Sequence, residues 1–213
     1  ARAVTPKTRL VFVCNPNNPT GTYVTAAEVA AFMQAIPPDV IVVFDEAYYE
    51  YVTAADYPDT LSLLKSGRNV VLLRTFSKIY GLAGLRIGYG LTTPEIVEHL
   101  NRIRPPFNTN SLAQKAALAA LSDEEHVRES RRVNTEGLAS LAERLKALGL
   151  RVAPSQANFL YFDVKQDGKA LFEALLRQGV IVRHLGGTCL RVTIGLPHEN
   201  DRFIAALQAV LTA

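Results

Sequence analysis

Three short runs decide what this chain can become. "RLVFVCN" (9–15), "DVIVVFD" (39–45) and "NVVLLRT" (69–75) are apolar at nearly every position, without the in–out alternation of a sheet wetted on one face. Such strands are covered on both sides, and segments of helical character separate them. This pattern predicts a mostly parallel α/β sheet with helices over it. "LRIGYG" (85–90) reads as a shorter fourth strand. In open sheets of this kind, ligands gather where the strands end. Asn18, Asp45 and Lys78 each follow one of these strands directly.

The helices between carry their own punctuation. Thr25-x-x-Glu28 is a capping box ahead of "AAEVAAFMQAI". Thr93-Pro94 is a cap and first-turn pair ahead of "EIVEHLNRIR". After the break at "RPPFNTN", "SLAQKAALAAL" reads as an apolar helix. Ser122-x-x-Glu125 then opens a long amphipathic one that reaches about Leu148, with Gly149 as its stop. Short strands ("NFLYFDV", "GVIVRHL", "CLRVTIG") and two helices ("GKALFEALLRQ", "ENDRFIAALQAVL") complete a smaller α+β unit. We expect residues 1–122 to belong to a large domain and 123–213 to be a connecting helix with a small domain.

Composition removes several classes of function. A net charge of +3 over 213 residues, without clustered cations and aromatics, argues against a nucleic-acid surface. The apolar runs are too short to span a membrane, and no signal-peptide pattern opens the chain. Cys14 and Cys189 lie far apart in strand-like segments, so we expect buried thiols in a reducing cytoplasm rather than a disulfide. No His/Cys cluster has metal-ligand spacing, so no metal is expected.

The chemistry concentrates in "RTFSKIYGLAGLRIGYG" (74–90). A lysine at a strand mouth is ordinarily a snorkelling surface residue. Here Thr75 and Ser77 bring hydroxyls, Gly81 and Gly84 permit close backbone approach, and Arg86 brings a planar cation. Together these suit a phosphate dianion. An amine beside a phosphate points to a phosphorylated carbonyl compound, with pyridoxal 5'-phosphate (PLP) as the candidate. That cofactor needs a carboxylate for its ring nitrogen. Asp45 is preferred because it comes first after the apolar run, with Glu46 as rival. Tyr48 could reach the ring's phenolic oxygen from the same turn, and amides of "NPNNPTG" (15–21) could donate to an oxygen at the ring edge.

"NPNNPTG", "DEAYYEY" and "TFSKIYGLAGLRIGY", in this order, closely resemble the fold-type I PLP-dependent aminotransferases. "RPPFNTNSLAQ", "SQANFLYF" and "GVIVRHL…CLRVTIG" resemble the histidinol-phosphate aminotransferases within them. The resemblance implies Lys78 as the Schiff-base lysine and Asp45 as partner of the pyridinium nitrogen. Tyr48 and Asn18 would hold the ring's O3' oxygen, and Thr75, Ser77 and Arg86 the cofactor phosphate. Arg191 would bind the substrate carboxylate, and Arg183 would help hold the substrate phosphate. It further implies ping-pong transfer from an amino donor, histidinol phosphate, to a 2-oxo acid, 2-oxoglutarate. Other implications are a cytoplasmic homodimer and roughly 150 preceding residues of a full-length member that this chain does not contain. Aromatic amino-acid aminotransferases and threonine-phosphate decarboxylases share much of the motif set. A non-catalytic ligand-sensing module is the remaining reading.

Overall fold

In a computed structural model that describes residues 1–211, the chain forms two compact units, residues 1–16 with 23–127 and residues 17–22 with 128–213. The first is built on β1 (Leu10–Cys14), β2 (Ile41–Asp45) and β3 (Val70–Thr75), parallel and in that order, with β4 (Gly88–Leu91) antiparallel on β3. The registers place Cys14 beside Asp45, Asp45 beside Leu73, and Thr75 beside Gly88. Three strands therefore finish, and the fourth begins, along one edge of the sheet.

Helix α1 (Ala26–Ala35) starts at the expected box: Thr25 Oγ1 accepts the Glu28 N–H, and the Glu28 carboxylate accepts the Thr25 N–H at 2.8 Å. Val29, Met33 and Ile36 pack with Val42, Phe44, Val70 and Leu72 into the core on one face. Each side chain buried this way contributes roughly 1.5–3 kcal/mol. On the opposite face Val43 and Val71 are buried, but Phe12 is 69% exposed on the edge strand, so the expected cover is incomplete there. Helices α2 (Thr60–Lys65), α3 (Pro94–Ile103) and α4 (Ser111–Leu121) complete the unit. Thr93 caps α3 with Pro94 in its first turn, as expected. In α4, Ala113 and Ala117 are buried, whereas Leu112 and Leu118 are exposed.

Helix α5 (Glu124–Ala147) is the long one. Its opening differs from expectation: Ser122 closes α4, and Asp123 accepts the His126 N–H at 3.0 Å. At its far end Gly149 takes φ +77° and donates to Lys146 O, the left-handed stop that glycine adopts without strain. Beyond it, β5 (Arg151–Val152), β6 (Phe159–Asp163), β7 (Arg183–His184) and β8 (Cys189–Thr193) form an antiparallel sheet in the order β5-β6-β8-β7. Helices α6 (Gly168–Arg177) and α7 (Pro197–Leu211) pack on it with α5 around Leu141, Leu145, Leu160, Phe162, Leu190 and Phe203. The expected strand at 179–185 shrinks to two residues. Only Arg183 and His184 pair with β8, and Ile181 is left 79% exposed.

Neither cysteine is in a disulfide, as expected, but both are half-buried rather than buried. Cys14 ends an edge strand, and Cys189 opposes Asp163 on the face of the second sheet away from its core.

Candidate active site

In the first unit, the loops after β1, β2 and β3 carry the polar residues. Asn15 is buried and closes its loop on itself: its side chain accepts the Val24 N–H at 2.9 Å and donates to Val24 O at 3.2 Å, while its own N–H donates to Asp45 O at 3.0 Å. That last bond joins the ends of β1 and β2. Asp45 is half-buried, and its Oδ1 accepts the Ala47 N–H at 3.2 Å. Tyr48, one turn on, is buried, with the Lys78 ammonium 5.3 Å from its ring centroid. Among the described residues neither Asp45 nor Lys78 forms an ion pair. A carboxylate and an amine on neighbouring strand ends thus both remain open to a third group.

The turn after β3 is shaped by its own sequence. Thr75 Oγ1 accepts the Ser77 N–H at 3.0 Å and folds the chain back. Phe76 and Ile79 are buried and anchor the turn. Gly81 takes φ +70° and donates to Lys78 O at 2.9 Å. No other part of the protein crowds Gly81 or Gly84: a Cβ at either would meet nothing within 4 Å. At Gly81 the backbone angle explains the glycine, while at Gly84 nothing in the structure does. Arg86 holds φ +54°, a conformation uncommon for a side chain of its size, and donates to Ala83 O at 2.8 Å. It stands two residues before Gly88, which pairs with Thr75. Asp45, Tyr48, Thr75, Ser77, Lys78 and Arg86 therefore share one sheet edge.

The remaining three predicted residues meet in the second unit. Arg191 lies between Tyr161 and Arg183 in register across β6, β8 and β7, so all three side chains share one face. Its guanidinium sits 4.7 Å from the Phe159 ring centroid and donates to Asn18 Oδ1 at 2.5 Å. Asn18 is held there because residues 17–22 fold into this unit. Gly21 (φ +77°) accepts the Gln156 N–H, and a Cβ on it would fall 2.3 Å from Ser155 Oγ. Two arginines paired across strands repel, an arrangement that an anion between them would relieve.

One pair escaped the sequence reading. Glu46, weighed only as a rival to Asp45, is completely buried. Its Oε2 accepts from Arg74 Nε at 2.9 Å, and its Oε1 accepts from the Thr60 hydroxyl at 2.5 Å. Burial pushes its carboxyl up, with Thr60 and Arg74 pulling back. At Arg74 burial pulls the guanidinium down most, but the Glu46 charge and hydrogen bond, with Tyr89 and Tyr49, together carry it above its ordinary value. The two shifts weigh the same contact differently; the short, doubly donated geometry supports an ionised pair. An arginine next to last in a core strand was the available signal.

Residues 1–207 match the family described as aminotransferase class I and II. Histidinol-phosphate aminotransferase of Moorella thermoacetica is 56% identical over 216 residues, covering 99% of this chain and 56% of that protein. Histidinol-phosphate aminotransferase 1 of Nitrosococcus oceani is 54% identical over 214 residues, covering 99% and 58%. The crystal structure of histidinol-phosphate aminotransferase from Sinorhizobium meliloti, in complex with pyridoxal-5'-phosphate, matches with a TM-score of 0.88 at 34% identity, covering 95% of this chain and 57% of that one. The chain thus spans between 56% and 58% of the length of these proteins. With a parallel sheet whose edge carries the lysine and the aspartate, and a family match over nearly its whole length, the chain belongs to the aminotransferase class I and II family.

Proposed function

We propose that this chain serves a PLP-dependent transamination, with histidinol phosphate as amino donor and 2-oxoglutarate as acceptor. The observation that carries the reading is the pairing of Lys78 and Asp45 on adjacent strand ends, both without an ion-pair partner among the described residues, with the Tyr48 ring beside the amine. The donor set fits PLP: a carboxylate for the ring nitrogen (Asp45), hydrogen-bonding groups for the phenolic oxygen (Tyr48 and the Asn18 amide), and hydroxyls with a guanidinium for the phosphate (Thr75, Ser77, Arg86). When bound, the cofactor supplies an electron-withdrawing ring that stabilises negative charge at the substrate Cα.

The chain's own residues do the rest. Lys78 Nζ takes the proton from the substrate Cα and later returns one, acting as base and then acid. Asp45 holds a proton on the ring nitrogen by its charge. Arg191 and Arg183 bind the anionic end of the substrate. Side by side on one face, they suit a phosphate in one half of the reaction and a carboxylate in the other. On this reading residues 1–122 are part of the cofactor-binding domain, residues 123–213 a connecting helix and small domain, and the enzyme is a cytoplasmic homodimer. Among the described residues no helix is long and apolar enough to cross a membrane.

The test uses the full-length protein. Lys78→Ala should abolish the visible band of lysine-bound PLP and lower kcat by about 10⁴-fold; an unchanged band sinks the assignment. Single-turnover amino transfer should favour histidinol phosphate. Preference for phenylalanine, or decarboxylation of threonine phosphate, would replace the substrate with one of the alternatives above.

A further inference from the structure

The five residues from Asp45 to Tyr49 engage two different partners. The Tyr48 ring faces Lys78, whereas Glu46 and Tyr49 turn to Arg74. Arg74 is gripped twice: its Nε donates to Glu46 at 2.9 Å, and its guanidinium carbon stands 3.5 Å above the Tyr49 ring centroid. Glu46 is gripped three times, by Arg74, by the Thr60 hydroxyl, and through its own N–H, which donates to Leu73 O at 2.9 Å. Side-chain and backbone bonds thus tie Glu46, the residue after Asp45, to Arg74 and Leu73, with Arg74 four positions short of Lys78.

A buried ion pair is a poor source of net stability. Removing two charges from water costs about what their attraction returns, and packed apolar side chains of similar volume often do as well. What the pair supplies, and apolar side chains do not, is direction: a guanidinium and a carboxylate hold each other at fixed angles as well as a fixed distance. Resting on the function proposed above, we propose that the Glu46–Arg74 pair is a positioning device that sets the spacing between the Asp45 carboxylate and the Lys78 amine, and thereby between ring nitrogen and reacting amine. Neither residue touches the reacting atoms. They act through their chain neighbours, and a displacement of about 1 Å at such a distance can cost about 100-fold in rate.

The experiment compares full-length Glu46→Gln, Arg74→Met and the double variant Glu46→Met with Arg74→Met, each loaded with PLP. Three quantities are read: Tm, the pH midpoint of the visible band of the lysine-bound cofactor, and PLP affinity alongside kcat and KM. Either single variant should shift the midpoint by about one unit or more. It should also weaken PLP binding and lower kcat by about 100-fold, with KM for the amino donor much less changed. The double apolar variant should recover Tm while midpoint, affinity and kcat stay displaced; that split separates positioning from packing. If the double variant recovers all of them, or if folded single variants lose only Tm, the proposal is overturned. Should the single variants fail to fold, the double variant alone decides. Loss of the visible band in Lys78→Ala keeps the underlying reading intact throughout, so the two ideas fail separately.

Discussion

The chain uses the same tool twice, an arginine and a carboxylate on neighbouring strands, in opposite surroundings. Between β2 and β3, Glu46 is fully buried and Arg74 leaves 14% of its side chain exposed. Between β5 and β6, Asp163 faces Arg151 in register; 78% of the Arg151 side chain is in water, and 16% of the Asp163 side chain. Burial pushes the Glu46 carboxyl up. The Asp163 carboxyl is instead held down to about 2, first by the Thr188 hydroxyl, then by the Lys165 N–H and Arg151. The difference teaches that pairing does not determine what a carboxylate does. Where burial is complete, the cost of leaving water sets the sign against the pull of the partners; where water remains, the partners set it.

The largest expected effect sharpens that contrast. Arg74→Ala leaves Glu46 charged with no cation in a dry site and should cost about 3–5 kcal/mol in denaturant unfolding of the full-length protein. Arg151→Ala should barely move the same curve, because its partner keeps the Lys165 N–H and gains water. Equal losses at the two sites would break the comparison.

A third arginine gives the next prediction. Arg191 stacks on a ring as Arg74 does, but its hydrogen-bond partner at 2.5 Å is the neutral amide oxygen of Asn18, and its cross-strand neighbour is Arg183. An arginine that no carboxylate holds among the described residues is available to a ligand. Arg191→Ala should raise KM for both the amino donor and the 2-oxo acid by about 10- to 100-fold, the range expected for a lost charge-assisted hydrogen bond, with little change in stability. Steady-state kinetics alongside a melting curve check this. A lowered Tm with unchanged KM would make Arg191 a structural residue like Arg74.

These three arginines also mark how far the sequence could be read. The sheet was legible because unbroken apolar runs have one interpretation, and the site residues of the first unit follow those runs directly. The starts of α1 and α3 were legible because Thr25 with Glu28 and Thr93 with Pro94 act within one turn, on their own backbone. Arg74 was missed because it sits inside a strand read as core. Only the fold reveals that Glu46, 28 positions earlier, turns to meet it. The apolar run at 179–185 exceeds its strand for a similar reason. Its apolar pattern is real, but β8 accepts only Arg183 and His184 as partners, and pairing is a property of the partner. Ser122-x-x-Glu125 has the spacing of a helix start; Asp123, one residue on, holds the His126 N–H instead.

The smallest expected effect is the pH dependence at the rim pair. The Asp163 carboxyl is held at about 2 in the folded chain against an ordinary 3.8, so the folded state favours its ionised form. That contribution is fully present above the unfolded value and is lost as pH falls through the folded one. For Glu46 the slope runs the other way. A carboxyl raised by the fold binds its proton more tightly there than when unfolded. Its contribution is therefore fullest below the ordinary 4.5 and declines as pH rises through the folded value. Asp163→Asn keeps an acceptor in place and removes only the charge, so melting wild type and variant side by side from pH 6 downward isolates the linkage. The gap in Tm should be constant at the upper end of that range and should narrow as the pH drops below the unfolded carboxyl value. A gap that widens on acidification would mean that desolvation outweighs the partners of Asp163 and raises its carboxyl, and that these two ion pairs obey one rule instead of two.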